Sequence, residues 1–94
     1  MGTYYTILNH TRKQKIDPGK VGGGAIKASA IAHGDAGRIL AFAMINDWIG
    51  DPVVVQGDWG DDDPGAGYED VTEQIVRKFN ADDPKKPIAF NPNG

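Results

Sequence analysis

Residues 53–70 read VVVQGDWGDDDPGAGYED, and this stretch decides how the chain is organised. It opens with three β-branched valines, which predict a strand. Glycine and proline then recur from Gly57 to Gly67, so this part of the chain cannot be the interior of a regular helix or strand. The stretch is therefore a strand followed by a long connection. That connection is either a solvated linker or a binding surface held out from a small core.

The connection carries residue types that suit a binding surface. Carboxylates supply negative charge, and tryptophan and tyrosine supply contact area of the kind that dominates protein interfaces. We predict that a partner binds through the following side chains: Asp58, Trp59, Asp61, Asp62, Asp63, Tyr68 and Glu69. For Trp59, anchoring of the connection to the core is an alternative interpretation.

Charge is distributed unevenly along the chain. The formal net charge is −3, yet residues 1–38 hold six basic and two acidic side chains, whereas residues 39–94 hold four basic and eleven acidic ones. One interpretation is that the two parts attract each other within the folded monomer. The other is that an acidic patch is directed at a basic partner and steers its association over long range.

Hydrophobic patterning predicts an α+β fold. Strands are expected at residues 4–8, 13–16 and 53–56, in a small, mainly antiparallel sheet that begins with a hairpin. Because its valines are consecutive, we expect the strand at 53–56 to be central and covered on both faces. Helices near residues 37–48 and 70–80 are expected to pack on this sheet.

The two predicted helices differ in pattern. The first is apolar on all sides, so we expect it to be buried on most of them, with Asp35 as its N-cap and Trp48 in the core. The second is amphipathic, with apolar residues at helical spacing on one face. Asp70 is predicted to cap it, in a capping box that Glu73 completes.

Length and composition fit a single domain over residues 1–94, with a loosely held C-terminal tail from about residue 84. Within this tail, residues 88–90 have the apolar character needed to pack on the sheet. The chain has no cysteine, which excludes disulfides and thiolate chemistry and suits a reducing cytoplasm. No apolar run approaches the ~20 residues that span a bilayer, so we expect a cytoplasmic protein with no membrane partner.

Two loops offer an alternative function, the binding of a small molecule. Residues 22–24 are glycines whose amides could cradle a phosphate, although the P-loop and dinucleotide-binding patterns are both missing. Placing Asp58 at the first position of a calcium loop puts Glu69 at the twelfth, but Gly60 and Asp63 break the pattern between them. A nucleotide, another small molecule or a divalent metal is thus the alternative ligand.

No arrangement of residues predicts catalysis. Ser29 is the single serine, and the two imidazoles, His10 and His33, are not spaced to form a nucleophile–base pair with it. We therefore expect a non-enzymatic protein with no cofactor, no catalytic residue and no metal ligand. Direct binding of nucleic acid by the basic residues of segment 12–20 is disfavoured, because the acidic part of the chain would repel phosphate.

Two segments carry a resemblance to other proteins. The first includes Tyr4-Tyr5, Asn9-His10-Thr11-Arg12-Lys13, Ile16-Asp17-Pro18 and Gly22-Gly23-Gly24, and the second includes Asp47-Trp48-Ile49-Gly50-Asp51 and Val55-Gln56-Gly57-Asp58. These segments resemble a group of small uncharacterised bacterial and phage-encoded proteins, and the likeness covers most of residues 4–70. Trp59 departs from it, because a tyrosine is expected there. The group has no assigned activity, so the resemblance implies one compact domain and no particular function.

Protein binding is therefore the expected function. We predict a small interaction protein whose acidic, aromatic-bearing connection engages and inhibits a larger protein with a basic, nucleic-acid-handling surface. Inhibitors of nucleic-acid-handling machinery and toxin-neutralising proteins are both of this type. A phage origin would favour the first.

Overall fold

A computed structural model describes residues 5–22, 34–57 and 65–92. Over these residues the chain has the predicted α+β architecture, in which two helices accompany a four-stranded, mostly antiparallel sheet. The strands are β1 (Tyr5–Asn9), β2 (Gln14–Ile16), β3 (Val54–Gly57) and β4 (Glu69–Asp70), and the helices are α1 (Asp35–Ile45) and α2 (Thr72–Asp82). The strand order across the sheet is β3-β1-β2-β4.

The predicted hairpin is formed by β1 and β2. The two strands are antiparallel, with Ile7 opposite Ile16 and Leu8 opposite Lys15. Lys13, in the turn between them, has a φ of 53°, a left-handed conformation that tight turns require. β4 was not predicted, and it pairs in parallel with β2.

β3 is an edge strand, which corrects the prediction that it would be central and covered on both faces. Among the described residues it pairs with β1 alone, placing Val54 opposite Leu8 and Val55 opposite Ile7. The two valines remain 41% and 43% exposed. The prediction was wrong because β-branched residues favour the extended backbone wherever a strand lies, so a short valine run does not distinguish a central strand from an edge.

The two faces of the sheet have different covers. Ile7 and Ile16 lie on the face that packs against the helices, and their buried partners include Ile39, Ala43, Trp48, Ile75 and Val76. Successive side chains of a strand alternate between faces, so the neighbouring Leu8 lies on the opposite face. Leu8 is buried there, with Gly65 of the connection packed against it. We call these faces the helix side and the loop side.

Helix α1 begins close to its predicted start and ends earlier than predicted. Gly34 takes the N-cap position, and Asp35 is the first helical residue rather than the cap. The helix ends at Ile45, and Trp48 follows in a turn. Trp48 is buried as predicted, and its indole N–H donates a hydrogen bond of 2.8 Å to Gln14 Oε1, which ties the end of α1 to the hairpin.

Helix α2 starts at Thr72 without the predicted capping box. Val71 is the N-cap residue and gives no side-chain hydrogen bond. The carboxylate of Asp70 instead accepts from the backbone N–H of Thr72 at 3.0 Å. Asp70 thus satisfies a free amide at the start of the helix although it precedes the N-cap residue by one position. Glu73 does not turn back to the cap, because it pairs with Arg77 one turn along the helix.

The two helices contact each other through aromatic rings. Phe42 of α1 and Phe79 of α2 meet edge to face with ring centroids 5.5 Å apart. The guanidinium of Arg38 lies over the Phe79 ring at 5.0 Å, and it also donates to the carbonyl of Lys86 at 3.1 Å. This cluster covers the outer surface of the core where the helices approach each other.

The segment after α2 returns to the rest of the fold. Ile88 is buried, and its backbone N–H and C=O bond the Asn80 side chain at 2.8 and 2.9 Å. Phe90 forms an antiparallel bridge with Val21. Residues 88–90, whose apolar character suggested packing, therefore contact the rest of the fold through Ile88 and Phe90.

Candidate protein-interaction surface

The predicted partner-binding residues divide into two sets. Asp58, Trp59, Asp61, Asp62 and Asp63 lie outside the described residues. Tyr68 and Glu69 are described, and they follow Gly65 at the point where the connection reaches β4. The described site is therefore the C-terminal end of the connection and the sheet beneath it.

Gly65 fixes the side of the sheet on which the connection arrives. It has a φ of 78°, a region in which glycine is favoured, and a Cβ at this position would lie 2.6 Å from Leu8 Cδ2. The same Cβ would lie 3.3 Å from Lys15 Cδ. Leu8 and Lys15 belong to the two middle strands, so Gly65 lies over the middle of the loop side, whereas Gly57 lies at the β3 edge.

Tyr68 is anchored to the turn of the hairpin. Its hydroxyl lies 2.7 Å from His10 Nδ1, and the two rings meet edge to face with centroids 5.7 Å apart. Lys13 Nζ lies 5.7 Å from the centroid of the same tyrosine ring, a cation–π distance. Tyr68 is half-buried as a result, so it holds the connection to the hairpin and keeps part of its surface exposed.

Glu69 is exposed but not free. Its backbone N–H donates to the carbonyl of Lys13 at 2.9 Å as part of the β2–β4 pairing. Its carboxylate accepts from Gln14 Nε2 at 3.1 Å. Since the amide of Gln14 is neutral, this bond does not compensate the negative charge of Glu69, which forms no ion pair with another described residue.

Ion pairs between the basic and acidic parts of the chain lie at two points of the hairpin. Arg12 pairs with Asp51 beside the turn, where the amide of the buried Asn9 also donates to Asp51 at 3.0 Å. The hydrogen bond from Asn9, followed by that from Arg12, lowers the pKa of Asp51 below its usual value. Attraction between the two parts of the chain therefore contributes to this fold.

The second ion pair joins Lys20 to Asp70 at 2.8 Å. Burial raises the pKa of Asp70, but hydrogen bonds from Lys20 and Thr72 outweigh that effect and lower it below its usual value. The bond from Asp70 likewise raises the pKa of Lys20. Lys20 and Arg12 thus pair with carboxylates of residues 39–94 that lie outside the acidic run, by which we mean Asp58 and Asp61–Asp63.

Sequence reasoning missed a set of exposed apolar side chains. Five large apolar residues of the described chain are exposed: Met44, Ile45, Ile49, Val54 and Val55. The prediction that α1 is buried on most sides is therefore wrong at its C-terminal end. The signal was present in the sequence, because a helix packed on one face of a small sheet cannot bury an apolar surface that surrounds it.

Gly22 bears on the alternative, phosphate-binding interpretation of the glycine run. Its backbone N–H donates to the carbonyl of Ala89 at 2.8 Å, so that amide is already used. A Cβ at Gly22 would lie 2.5 Å from a carboxylate oxygen of Asp35, which places negative charge beside the proposed anion site. Both features disfavour a phosphate at this position. The remaining two glycines lie outside the described residues.

The described residues form neither a group of metal ligands nor a membrane-spanning helix. Over segments 5–22, 34–57 and 65–92, no three His, Asp or Glu side chains are grouped so that they could hold a metal ion. Neither helix in these segments has the length and apolar character needed to cross a membrane. Comparison of the chain with protein families, with curated proteins and with solved structures finds no match.

Proposed function

We propose that this protein binds a larger protein through the connection between β3 and β4, with the acidic residues of the connection facing a basic surface. The proposed role is non-enzymatic and cytoplasmic. The observation that carries the proposal is the anchoring of Gly65 on the loop side of the sheet and of Tyr68 at the turn of the hairpin. The acidic run directly precedes this anchored end in the sequence.

Anchoring favours binding for an entropic reason. A fully flexible segment loses conformational freedom when a partner orders it, and that loss reduces the affinity. Here one end of the connection is attached through Gly65, over Leu8, and through Tyr68, bonded to His10. Because this end is already fixed, the entropic cost of binding the connection is lower.

The charge arrangement supports a basic partner. Arg12 and Lys20 already pair with Asp51 and Asp70, which are not part of the acidic run. Lys15, on the loop side, makes no ion pair with any residue that the structure describes. Under this proposal, Lys15 would be an internal cation that competes with the partner for the acidic run.

A surface that binds nucleic acid has the positive charge that complements the acidic run. Such surfaces carry lysine and arginine side chains that neutralise phosphates. Aspartates at residues 58 and 61–63 would meet the same side chains, so the bound protein would displace nucleic acid and inhibit its partner.

The test is affinity capture from the source cell, followed by purification of the captured protein and measurement of its dissociation constant. The decisive variant carries Asp61→Lys, Asp62→Lys and Asp63→Lys. We expect affinity to fall by at least about tenfold, which corresponds to ~1.4 kcal/mol. The melting temperature should be nearly unchanged, because the proposal assigns these three carboxylates to the contact with a partner and not to the stability of the fold.

A second triple variant, Glu73→Lys, Asp82→Lys and Asp83→Lys, makes the same change of net charge on and just after α2 and controls for net charge alone. It should retain binding. Equal affinity of the wild-type protein and the Asp61, Asp62 and Asp63 variant would contradict the proposal. Saturable heat on titration with Ca²⁺ or with a nucleotide would instead support the alternative function.

A further inference from the structure

We propose that the free edge of β3 forms the second part of this binding surface, and that it accepts an extended segment of the partner as an added strand. The segment we infer carries β-branched side chains next to a group of lysine or arginine residues. This inference rests on the proposed function, because it takes the same partner and adds a contact.

The first argument is the composition of β3. An edge strand directs N–H and C=O groups away from its sheet, and natural proteins usually protect them with charged side chains, proline or a bulge. β3 consists of Val54, Val55, Gln56 and Gly57, so it has neither charge nor proline. Within the described part of the chain its pairing is with β1 only. The unprotected edge is thus suited to strand addition.

The second argument comes from the two valines. Val54 lies on the loop side opposite Leu8, and Val55 lies on the helix side opposite Ile7. Each is exposed, whereas Leu8 and Ile7 are buried. An added strand would place its own alternating side chains against one valine on each face. Cross-strand contacts of this kind are strongest for β-branched and aromatic residues. We therefore expect the apolar part of the partner's segment to carry β-branched side chains.

The third argument is continuity with the acidic run. Gly57 ends β3 and Asp58 is the next residue, so the first carboxylate of the run is one residue from the edge. At the other end of β3 the nearest carboxylate is that of Asp51, and it is already bonded to Arg12 and Asn9. The carboxylate that precedes β3 therefore has a cationic partner, whereas the acidic run follows the Gly57 end of β3 in the sequence. The basic residues of an added segment should occupy that end.

The same charges disfavour a second copy of this chain as the occupant. In a symmetric antiparallel pairing, Val54 of one copy would lie opposite Gly57 of the other, and Asp58 would lie opposite Val53. The acidic run of each copy would then follow the paired edge directly in the sequence, between molecules that each carry a net charge of −3. Like charges close together oppose association.

The test uses the full chain, labelled with ¹⁵N, and two synthetic peptides. The first peptide begins with four lysines and continues with alternating threonine and valine, so that an antiparallel added strand places the lysines beside Gly57. The second is identical except that proline replaces its valines, which prevents strand pairing and keeps the charge. We expect the first peptide to bind at least about tenfold more tightly. It should also shift the amide signals of residues 54–57 and slow their hydrogen exchange.

A matched pair of variants locates the contact. Val55→Lys adds a charge to the edge and should weaken binding of the first peptide by about fivefold or more. Ile49→Lys makes the same change of charge at a side chain that is 66% exposed and lies outside β3, so binding should change by less than about twofold.

Each outcome supports or overturns the inference. Equal binding of the two peptides without shifts at 54–57 overturns it, and leaves the proposed function in place because the lysines alone then account for binding. Shifts at 54–57 that persist in the Asp61→Lys, Asp62→Lys and Asp63→Lys variant support the edge contact and count against the acidic run. Shifts that grow with protein concentration alone, with a doubled mass, identify a second copy and overturn the inference.

Discussion

The two edges of the sheet differ in length, charge and bonding. The β4 edge has two residues, Glu69 and Asp70, and both are acidic. Their carboxylates accept hydrogen bonds from neighbouring side chains, Gln14 for the first and Lys20 and Thr72 for the second. The β3 edge has four residues, no charge and two exposed valines.

Among the described residues, charge and side-chain hydrogen bonds protect the β4 edge, and neither protects the β3 edge. Short strands and charged residues both discourage an additional strand, and β4 has both features. An edge like β3 invites association unless a partner covers it. The side-chain hydrogen bonds at β4 also stabilise the fold, and the described residues show no such bonds from the side chains of β3. The contrast predicts that substitutions at the β4 edge change stability more than substitutions at the β3 edge.

Among substitutions at the two edges, the largest effect is expected for Thr72→Val, which removes a hydroxyl between the hairpin and the β4 edge. Thr72 is fully buried, and its Oγ1 accepts from the backbone N–H of Asp17 at 2.8 Å and donates to Asp70 at 2.6 Å. Valine has nearly the same shape but leaves the amide of Asp17 unsatisfied. We expect the free energy of unfolding, measured by urea denaturation, to fall by about 1–3 kcal/mol.

Thr72→Ser is the control, because it keeps the hydroxyl and removes a methyl group. It should cost about 1 kcal/mol for the lost apolar burial and cavity. If Thr72→Val were no more destabilising than Thr72→Ser, the hydroxyl would not be what joins the β4 edge to the hairpin.

The same contrast explains which parts of the fold could be predicted from sequence. The hairpin, β3 and the two helices have local patterns, either consecutive β-branched residues or helical spacing, and each was placed within a few residues. β4 has no such pattern, since Glu69-Asp70 is a charged pair that becomes a strand only through pairing with β2. The edge position of β3 likewise depends on which strands meet across the whole fold.

The candidate site was predictable to a smaller extent. Composition indicated the acidic run, but the anchoring of Tyr68 by His10 joins residues 58 positions apart. No local signal reports a contact over that separation. The exposed valines were missed for a related reason, because the sequence shows that a residue is apolar and does not show what covers it.

A smaller effect is expected for Asp70→Asn, and it should depend on pH. The folded-state pKa of Asp70 is lowered, so the unfolded chain binds more protons in acid. The stability that the carboxylate contributes is therefore complete above the unfolded pKa, and it is lost as the pH falls through the folded one. Lys20 has a raised folded-state pKa, so its contribution is complete below the unfolded pKa and is lost as alkaline pH rises through the folded one.

The amide of Asp70→Asn keeps an oxygen for Thr72 and loses the charge that holds Lys20. We expect a loss of about 1 kcal/mol at neutral pH. Urea denaturation between pH 2 and 7 should show a shallower acid dependence than that of the wild-type protein. Parallel pH profiles for the two proteins would show that the bonding of Asp70 contributes nothing to the acid response.

The smallest effect on stability is expected for Val54→Lys at the open edge. The side chain is 41% exposed, and lysine retains an apolar stem that can lie over Leu8, its cross-strand neighbour. Urea denaturation should therefore give a free energy of unfolding within about 0.5 kcal/mol of the wild-type value. Leu8→Ala, at the buried position opposite, should cost about 2–4 kcal/mol and provides the contrast. A loss at Val54→Lys comparable to that at Leu8→Ala would mean that the β3 edge is packed within the monomer, so that it could not accept a strand from a partner.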